Sequence, residues 1–421
     1  MSMFGRPENK VLALSFTGFT IAFAVWMMYG VMGIPIREEY GLSDTQLAWL
    51  LAASALGGAL PRGPLGLLTD KYGGRAVFTA LLLMVVPGAI IVSYAQTYEQ
   101  LVGLAVWTGL TGNTFVVGIA WNSAWFPKER QGFALGFFGS GNIGAAVTKF
   151  IAPPVMALIP AGYIAGVVPG GWRFIPMVYA VMLVVMALIL WTQAPTPDRK
   201  PAATRSFLAM HRPLRAIDAW RFSYYYNIVF GAYVALSLWL PKYYVDTFGV
   251  GLTTAALLTA SFILPASLLR PVGGWLSDIW GARRATNTFL LVMIAAGILV
   301  SIPGLIKSPY VFAAIVFIFG CGMGAGKASV YRYVYDFFPR DVGVVGGLVG
   351  QIGAFGGFIF PLLWAYALTA TGIPETTWIV LLFGSVSCYA WQLIAARRER
   401  KAEAEGRLFA GRAEASLVPV P

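Results

Sequence analysis

Charged side chains are scarce in this chain. Asp, Glu, Lys and Arg together make up 11% of its 421 residues, whereas a soluble globular protein has about 25%. So few charges cannot cover a surface that faces water, and this excludes an ordinary soluble domain.

Groups that bind metals or act as nucleophiles are scarce as well. The chain has one histidine, His211, in a polar stretch, and two cysteines, Cys321 and Cys388, each in an apolar run. This spacing gives neither a metal site nor a disulfide framework. Since no pairing of nucleophile and base appears either, the sequence favours neither an enzyme nor a resident cofactor.

Long apolar runs dominate the chain instead. Hydrophobic residues make up 58% of it. The runs are continuous rather than alternating, which favours spanning helices of about 20 residues over a β-barrel. We therefore predict an all-α polytopic membrane protein with twelve transmembrane helices. The predicted spans are 11–36, 44–68, 76–95, 98–124, 132–159, 173–194, 220–245, 252–276, 286–306, 309–335, 343–370 and 375–396. Residues Ser43-Asp44-Thr45-Gln46 form the capping-box pattern that starts the second span.

Basic residues are distributed unevenly between the two sides of these spans. With a cytoplasmic N-terminus, and with residues near span ends counted with the side that they adjoin, 21 of the 30 Lys and Arg residues lie on the cytoplasmic side, four lie outside and five lie deep within spans. The positive-inside rule then places both termini in the cytoplasm of a multi-pass inner-membrane protein. The same rule accounts for the net charge of +12 without a nucleic-acid partner.

The chain divides into two similar parts. Segment 195–219, rich in proline and arginine, is predicted to be a cytoplasmic linker between six-helix halves at 1–194 and 220–396, with a tail at 397–421. Two stretches repeat each other at an offset of 208 residues, one in each half. The matching residues are Arg62, Gly66, Asp70, Gly73 and Arg75, and then Arg270, Gly274, Asp278, Gly281 and Arg283.

These repeated loops are interpreted as gating and packing elements. Gly66 and Gly274 would permit close contact between helices. The two aspartates would accept hydrogen bonds or pair with the arginines that follow them. Nothing in the loops selects a substrate.

The pattern G-x-x-x-D-x-x-G-x-R resembles the loop signature of the major facilitator superfamily. The resemblance covers almost the whole chain. It implies two pseudo-symmetric six-helix halves related by an axis along the membrane normal. It also implies alternating access by a monomer whose halves rock about a central site.

Two arginines are expected at the middle of the membrane. Arg62 precedes Asp70 by eight residues, or about 12 Å of helix, and half of the hydrocarbon core is about 15 Å. Arg270 stands in the same relation to Asp278. Every Asp and Glu lies in a loop, in a tail or near a helix end, so neither arginine has an obvious carboxylate partner. Two unpaired guanidinium groups facing one cavity make an anion site.

Three more basic residues lie within predicted spans. Lys149 is placed where its amine can reach an interface by snorkelling. Lys327 lies twelve residues before Pro339, or about 18 Å, which is too deep for that. Arg332 and Asp336 are spaced to pair with each other.

Two spans are rich in glycine, at 132–147 and 343–357. Glycines three and four residues apart predict close helix packing. Each stretch also places one amide among its glycines, Asn142 in the first and Gln351 in the second. An amide can donate a hydrogen bond to an anion.

These two glycine-rich stretches resemble the paired signatures of the NarK-type nitrate/nitrite porters. The resemblance implies that two arginines bind nitrate or nitrite, that an amide assists and that aromatic rings enclose the planar anion. Carried over, the arginines are Arg62 and Arg270 and the amide is Asn142. The aromatic positions fall on Phe115, Tyr226 and Tyr331, for each of which simple core packing is the alternative.

Lys327 departs from the family pattern, which bears on coupling. An amine in a low-dielectric site can change its protonation state, so we favour nitrate/proton symport with Lys327 as the candidate proton carrier. Nitrate/nitrite exchange needs no such carrier and stays open. Other readings are a porter of this fold for formate, oxalate or an organic acid, and a membrane sensor or channel.

Overall fold

Helices account for nearly all of the structure. The computed structural model describes residues 6–164, 166–200, 215–338 and 342–404. We number the successive helical runs α1 to α12. They are α1 (Pro7–Trp26 and Tyr29–Tyr40), α2 (Asp44–Gly57 and Arg62–Tyr72), α3 (Gly74–Ser93), α4 (Tyr98–Gly109 and Thr114–Trp125), α5 (Lys128–Gly139 and Gly144–Leu158), α6 (Phe174–Gln193), α7 (Ile217–Tyr226 and Ala232–Phe248), α8 (Leu252–Leu268 and Arg270–Trp280), α9 (Ala282–Ser301), α10 (Pro309–Phe337), α11 (Val342–Ala354 and Gly356–Thr371) and α12 (Thr376–Ala404).

Short elements complete the described part of the chain. The 3₁₀ turns are Leu110–Asn113, Ser140–Ile143 and Gly171–Arg173, and a π turn lies at Asn227–Gly231. Two short antiparallel strands, β1 (Tyr163–Ile164) and β2 (Val168–Pro169), form a hairpin after α5.

Each run overlaps one predicted span, but not every run is a clear membrane crossing. In the described ranges, nine runs are long and apolar enough to cross a bilayer, and α8 adds a tenth if its two helices, bent by 40°, form one span. The runs left over are α2 and α5. Each is broken into two helices of 11 to 15 residues, shorter than the roughly 20 that a spanning helix needs. The count of twelve therefore stays a prediction.

Large apolar side chains on the outside of the helices fit a lipid environment. Val181, Leu188 and Phe383 are among those more than half exposed. Such an apolar exterior is unusual for a protein in water. Most of the buried apolar residues form one hydrophobic core to which helices from both ends of the chain contribute, and Ala285, Phe289 and Ala325 form a small second cluster.

Helices before residue 195 and helices after residue 215 meet along one interface; we call them the N-terminal and C-terminal helices. Three pairs form most of it, in which α5 packs on α8, α2 on α11 and α1 on α7. The loops at Gly41 and Gly249 share one face of the molecule, since Arg37 contacts Asp246 at 2.7 Å. We call this the Gly41 face.

The opposite face carries the repeated loops, and we call it the Gly73 face. Gly73 and Gly281 end their helices with nearly the same backbone angles, φ 88° and ψ 156° against φ 78° and ψ 152°. Such positive φ values favour glycine. The internal repeat seen in the sequence is thus also a repeat of conformation.

The predicted glycine contacts within the repeat are wrong. A Cβ added to Gly66 or Gly274 would lie 3.7 or 3.8 Å from its nearest neighbour, which is ordinary contact. The close approach is instead at Gly273, whose added Cβ would collide with the backbone of Ala325. The general motif located a crossing of helices but missed the contact by one residue.

The polar partners of these loops differ from expectation in the first loop, whereas in the second the aspartate accepts a hydrogen bond as expected. Arg75 donates to the backbone carbonyl of Trp191 and stacks on its ring, and its own N–H donates to Asp198 at 2.9 Å, so it is not held by Asp70 as predicted. Asp278 accepts from Arg332 at 2.6 Å. The predicted pairing of Arg332 with Asp336 is confirmed, at 3.1 Å, as is the capping box between Ser43 and Gln46.

Candidate anion-binding site

Arg62 and Arg270 occupy equivalent places beside helix breaks. Arg62 is the first residue after the break in α2, and Arg270 is the first after the bend in α8. Breaks also interrupt α4, α5, α7 and α11. Irregular backbone inside a membrane protein is tolerated where it lines a site or is buried in protein, and these breaks bring irregular backbone to the same region as the arginines.

Arg62 is held at one end and available at the other. It is 2% exposed. Its Nε donates to the carbonyl of Gly58 at 2.9 Å, and its Nη1 donates to the carbonyl of Gly350 in α11 at 3.0 Å. Its Nη2 is buried and has no hydrogen-bond partner among the described residues. A donor in that state is costly unless a ligand accepts from it.

Arg270 lies against a glycine of the N-terminal helices. It is 6% exposed, and its Nη1 is buried with no hydrogen-bond partner in the described part of the chain. A Cβ added to Gly139 in α5 would lie 2.9 Å from its Cζ. The absence of a side chain at Gly139 therefore makes room for the guanidinium group.

Both guanidinium groups lie beside the ring of Phe115. The Arg62 Cζ is 5.7 Å from the ring centroid and the Arg270 Cζ is 5.4 Å from it. No ion pair joins either arginine to a carboxylate within the described residues. Two cations that share an aromatic face and have no counter-ion among the described residues form a strongly anion-attracting site.

Asn142 contributes an unused amide. It lies in the 3₁₀ turn Ser140–Ile143 and is fully buried. Its Oδ1 and Nδ2 both lack a partner among the described residues. Because a buried amide normally satisfies both atoms, this one is available to a polar ligand.

The tyrosines complete the wall on the side of α11. The rings of Tyr226 and Tyr331 meet edge to face at 5.0 Å, and the Arg270 Cζ is 5.6 Å from the Tyr331 ring. Tyr331 donates to the carbonyl of Gly346 at 3.0 Å. The Tyr226 hydroxyl is buried and has no partner in the described ranges.

The amide of Gln351 is less enclosed than that of Asn142, and its hydrogen bond to an anion stays a prediction. Gln351 is half-buried, and the structure gives its side chain no hydrogen bond to either arginine within the described residues. The carbonyl of the preceding residue, Gly350, contacts Arg62 instead. The two amides of the repeat are therefore not equivalent, and only Asn142 is presented by a tight turn.

Two residues of the site were missed by sequence reasoning. Phe230 stacks on Tyr226 at 5.0 Å and lies 5.7 Å from the Arg62 Cζ. Its spacing of four residues from Tyr226 was a usable signal. Tyr233, described below, gave none, because the π turn at Asn227–Gly231 changes the helical register after Tyr226.

The two deep lysines are both buried. Lys327 donates from Nζ to the carbonyl of Ala266 at 2.9 Å. Lys149 is 1% exposed and donates to the carbonyl of Met27 at 3.2 Å, so the expectation that it reaches an interface is wrong. Met27 ends the first helix of α1, and a cation is favoured at a helix C-terminus.

This fold and this site define a class: a helical membrane transporter with a cationic centre between two sets of helices. The family model described as "Major Facilitator Superfamily" matches residues 14–361 and 257–418. Among solved structures, a bacterial homolog of the human lysosomal transporter Spinster, in an inward-facing and unoccupied conformation, has a TM-score of 0.73 at 17% identity. It covers 93% of this chain and 98% of its own.

Curated relatives narrow the family. The "Probable nitrate/nitrite antiporter NarK1" of Thermus thermophilus is 52% identical over 95% of this chain and 94% of its own. The "Nitrite extrusion protein" of Bacillus subtilis is 30% identical over 87% and 89%, and a "Probable nitrate transporter NarT" of Staphylococcus aureus is 30% identical over 92% and 96%. The chain belongs to the major facilitator superfamily and, within it, to the NarK-type porters. It is a transporter rather than an enzyme, as predicted.

Proposed function

We propose that this protein carries nitrate and nitrite across the cytoplasmic membrane by alternating access. The observation that carries the proposal is the pair of buried guanidinium groups beside Phe115, each with a terminal nitrogen that has no hydrogen-bond partner among the described residues. The names of the relatives above supply the anion, and the site chemistry agrees with them. A planar guanidinium group can bind a planar oxyanion through two hydrogen bonds.

The shape of the site favours a thin anion. The rings of Phe115 and Phe230 are nearly parallel, with an interplanar angle of 26° and centroids 6.3 Å apart. A flat ligand between two rings needs about 3.5 Å on each side, so a small opening admits a planar anion edgewise. A tetrahedral or branched anion requires a larger displacement of both rings.

Electrostatic repulsion between the two arginines makes closure of the two sets of helices depend on the bound anion. Arg62 comes from the N-terminal helices and Arg270 from the C-terminal helices, so bringing the two sets together buries like charges side by side. That is costly unless an anion lies between them. A ligand that binds the closed arrangement better than the open one shifts the population towards it.

The proposal extends to orientation and assembly. We place both termini in the cytoplasm of an inner-membrane protein, on the strength of the 21 to 4 distribution of basic residues. The Gly73 face is then cytoplasmic and the Gly41 face is the outer one. A working monomer is proposed as well, as the resemblance to the major facilitator fold implies.

Uptake of labelled nitrate into proteoliposomes tests the anion site. We expect Arg62→Ala and Arg270→Ala each to lower uptake by about 10- to 100-fold, because each removes charge-assisted hydrogen bonds. Arg173→Ala is the control, since Arg173 pairs with Glu39 on the Gly41 face. Normal uptake by either site variant would overturn the proposal. Competition that is stronger with formate or oxalate than with nitrite would reassign the substrate.

Coupling is tested in the same vesicles. Symport requires a group that carries a proton, and Lys327 is the residue we assign to that role. Uptake driven by a pH gradient with no internal anion would support symport. Uptake that needs internal nitrite and ignores the gradient would establish exchange, the activity in the name of the Thermus relative, and would remove the proton role of Lys327.

A further inference from the structure

Tyr233 in α7 contacts three other elements at once. Its hydroxyl lies 3.0 Å from the backbone carbonyl of Asn142 and 2.9 Å from the Oγ of Ser267 in α8. Its ring centroid lies 3.2 Å from the Nζ of Lys327 in α10. Tyr233 is fully buried, so its hydroxyl bonds to protein groups and not to bulk water.

The hydrogens in this network can be assigned. A tyrosine hydroxyl has one hydrogen to donate, and the Asn142 carbonyl can only accept. Tyr233 therefore donates to Asn142, and Ser267 donates to Tyr233. The bond from Tyr233 to Asn142 joins a C-terminal helix to the 3₁₀ turn of an N-terminal helix.

The bond from Tyr233 is made to Asn142, the residue whose side-chain amide has no hydrogen-bond partner among the described residues. Asn142 has a backbone carbonyl fixed by Tyr233 and an amide with both atoms unpartnered among the described residues. A residue in a 3₁₀ turn has poorer backbone hydrogen-bond geometry than one in a regular helix. An outside donor to its carbonyl therefore helps to set the direction of its side chain.

We propose that Tyr233 is a positioning residue for the anion site: its hydroxyl orients the turn that presents the Asn142 amide, while its ring seats the Lys327 ammonium. The inference rests on the proposed function and deepens it. Tyr233 does not contact the anion. It acts through Asn142, and it joins the candidate proton carrier to the anion-binding amide across the interface.

A phenylalanine substitution separates the hydroxyl contacts of Tyr233 from its ring contact. Tyr233→Phe removes the hydroxyl and keeps the ring beside Lys327. We expect the KM for nitrate to rise about fivefold, the equivalent of one hydrogen bond, with kcat within about twofold of the wild type. Tyr244→Phe is the matched control, because Tyr244 lies on the same helix, is also fully buried, and has a hydroxyl with no partner among the described residues.

Two further variants separate positioning from a general packing role. If Tyr233 acts through Asn142, Tyr233→Phe combined with Asn142→Ala should have the KM of Asn142→Ala alone. Ser267→Ala leaves Tyr233 free to donate to Asn142, so its KM should stay within about twofold of the wild type. Thermal midpoints of all variants confirm that they are folded.

The outcomes distinguish this inference from the proposed function. Tyr233→Phe with the KM of Tyr244→Phe, or losses that multiply in the double variant, would overturn the role of Tyr233 while the arginine variants still abolish uptake. A rise in KM for Ser267→Ala as large as that for Tyr233→Phe would likewise overturn the positioning role, because it would show that Tyr233 acts only through packing. Wild-type vesicles that take up no nitrate would overturn both proposals together.

Discussion

Arg37 at the end of α1 donates a 2.7 Å hydrogen bond to Asp246 at the end of α7, and the two residues belong to opposite sets of helices. Lys242 reinforces the contact, because its Nζ lies 2.6 Å from Asp246 and 3.1 Å from Asp44. Two cations and two carboxylates thus join the two sets of helices at the Gly41 face. In alternating access this cluster must separate each time that face opens.

Reversing one charge of this pair should therefore favour the state that is open at the Gly41 face, which we propose to be the outer one. We expect Arg37→Asp to increase labelling of a cysteine placed at Thr247 by a membrane-impermeant maleimide, in a chain with Cys321 and Cys388 replaced by serine. The change should be a few fold, because pairs exposed by a third contribute little each. Restored protection in Arg37→Asp with Asp246→Arg would identify the pair as the cause. Unchanged labelling in the single variant would contradict the prediction.

Gly139→Ala should damage the anion site without touching a charged residue. The added Cβ would lie 2.9 Å from the Arg270 Cζ and would displace the guanidinium group. We expect the KM for nitrate to rise about tenfold, in line with a weakened charge-assisted hydrogen bond. Gly136→Ala, one helical turn earlier with nothing within 4 Å of its added Cβ, should behave as the wild type. Equal KM values for the two variants would place Arg270 outside the site.

Gly353 in α11 allows a similar test of the contact with Tyr226. A Cβ at Gly353 would collide with the ring of Tyr226, whereas a Cβ at Gly347 would meet nothing within 4 Å. Gly353→Ala should therefore lower nitrate uptake by about tenfold, since overpacking costs about 1–3 kcal/mol, and Gly347→Ala should not. Thermal midpoints of both proteins separate a local effect from unfolding. A Gly353→Ala protein with wild-type uptake would show that Tyr226 does not shape the site.

The two buried lysines allow a matched test of coupling. Lys327→Met should abolish uptake driven by a pH gradient and leave exchange of nitrate for nitrite intact, because the candidate carrier is lost and the arginines remain. Lys149→Met, which removes an equally buried amine bound to one carbonyl, should retain gradient-driven uptake. Uptake that still follows the gradient in Lys327→Met would assign the proton to another group.

The arginines could be placed from the sequence because their spacing is simple. Eight helical residues separate Arg62 from the aspartate of the repeated loop, and a regular rise converts that count into depth. Phe115 was reached differently, through the resemblance of the stretch from Gly112 to Pro127 to the NarK-type porters. A local marker near a helix end thus predicts the arginines, whereas the aromatic position depends on the family pattern.

The errors come from breaks that leave no local mark. Lys149 was expected to extend to an interface, but the break in α1 at Met27 and Met28 provides a carbonyl for it, and neither residue is a usual helix breaker. Gln351 aligns with Asn142 in the sequence, but only Asn142 lies in a 3₁₀ turn. Periodicity describes regular helices, so contacts created by irregular backbone are missed.

The hydrogen bond from Arg62 to the Gly350 carbonyl joins the N-terminal helices to the C-terminal helices, so the anion site depends on both. Each set of helices supplies one guanidinium group, and Phe115 contacts both. A chain cut between residues 200 and 215 would therefore yield two pieces that each hold one cation and bind nitrate poorly. When both pieces are present in one membrane, they should regain affinity for nitrate only as they assemble. Nitrate binding should therefore stabilise the assembled pair.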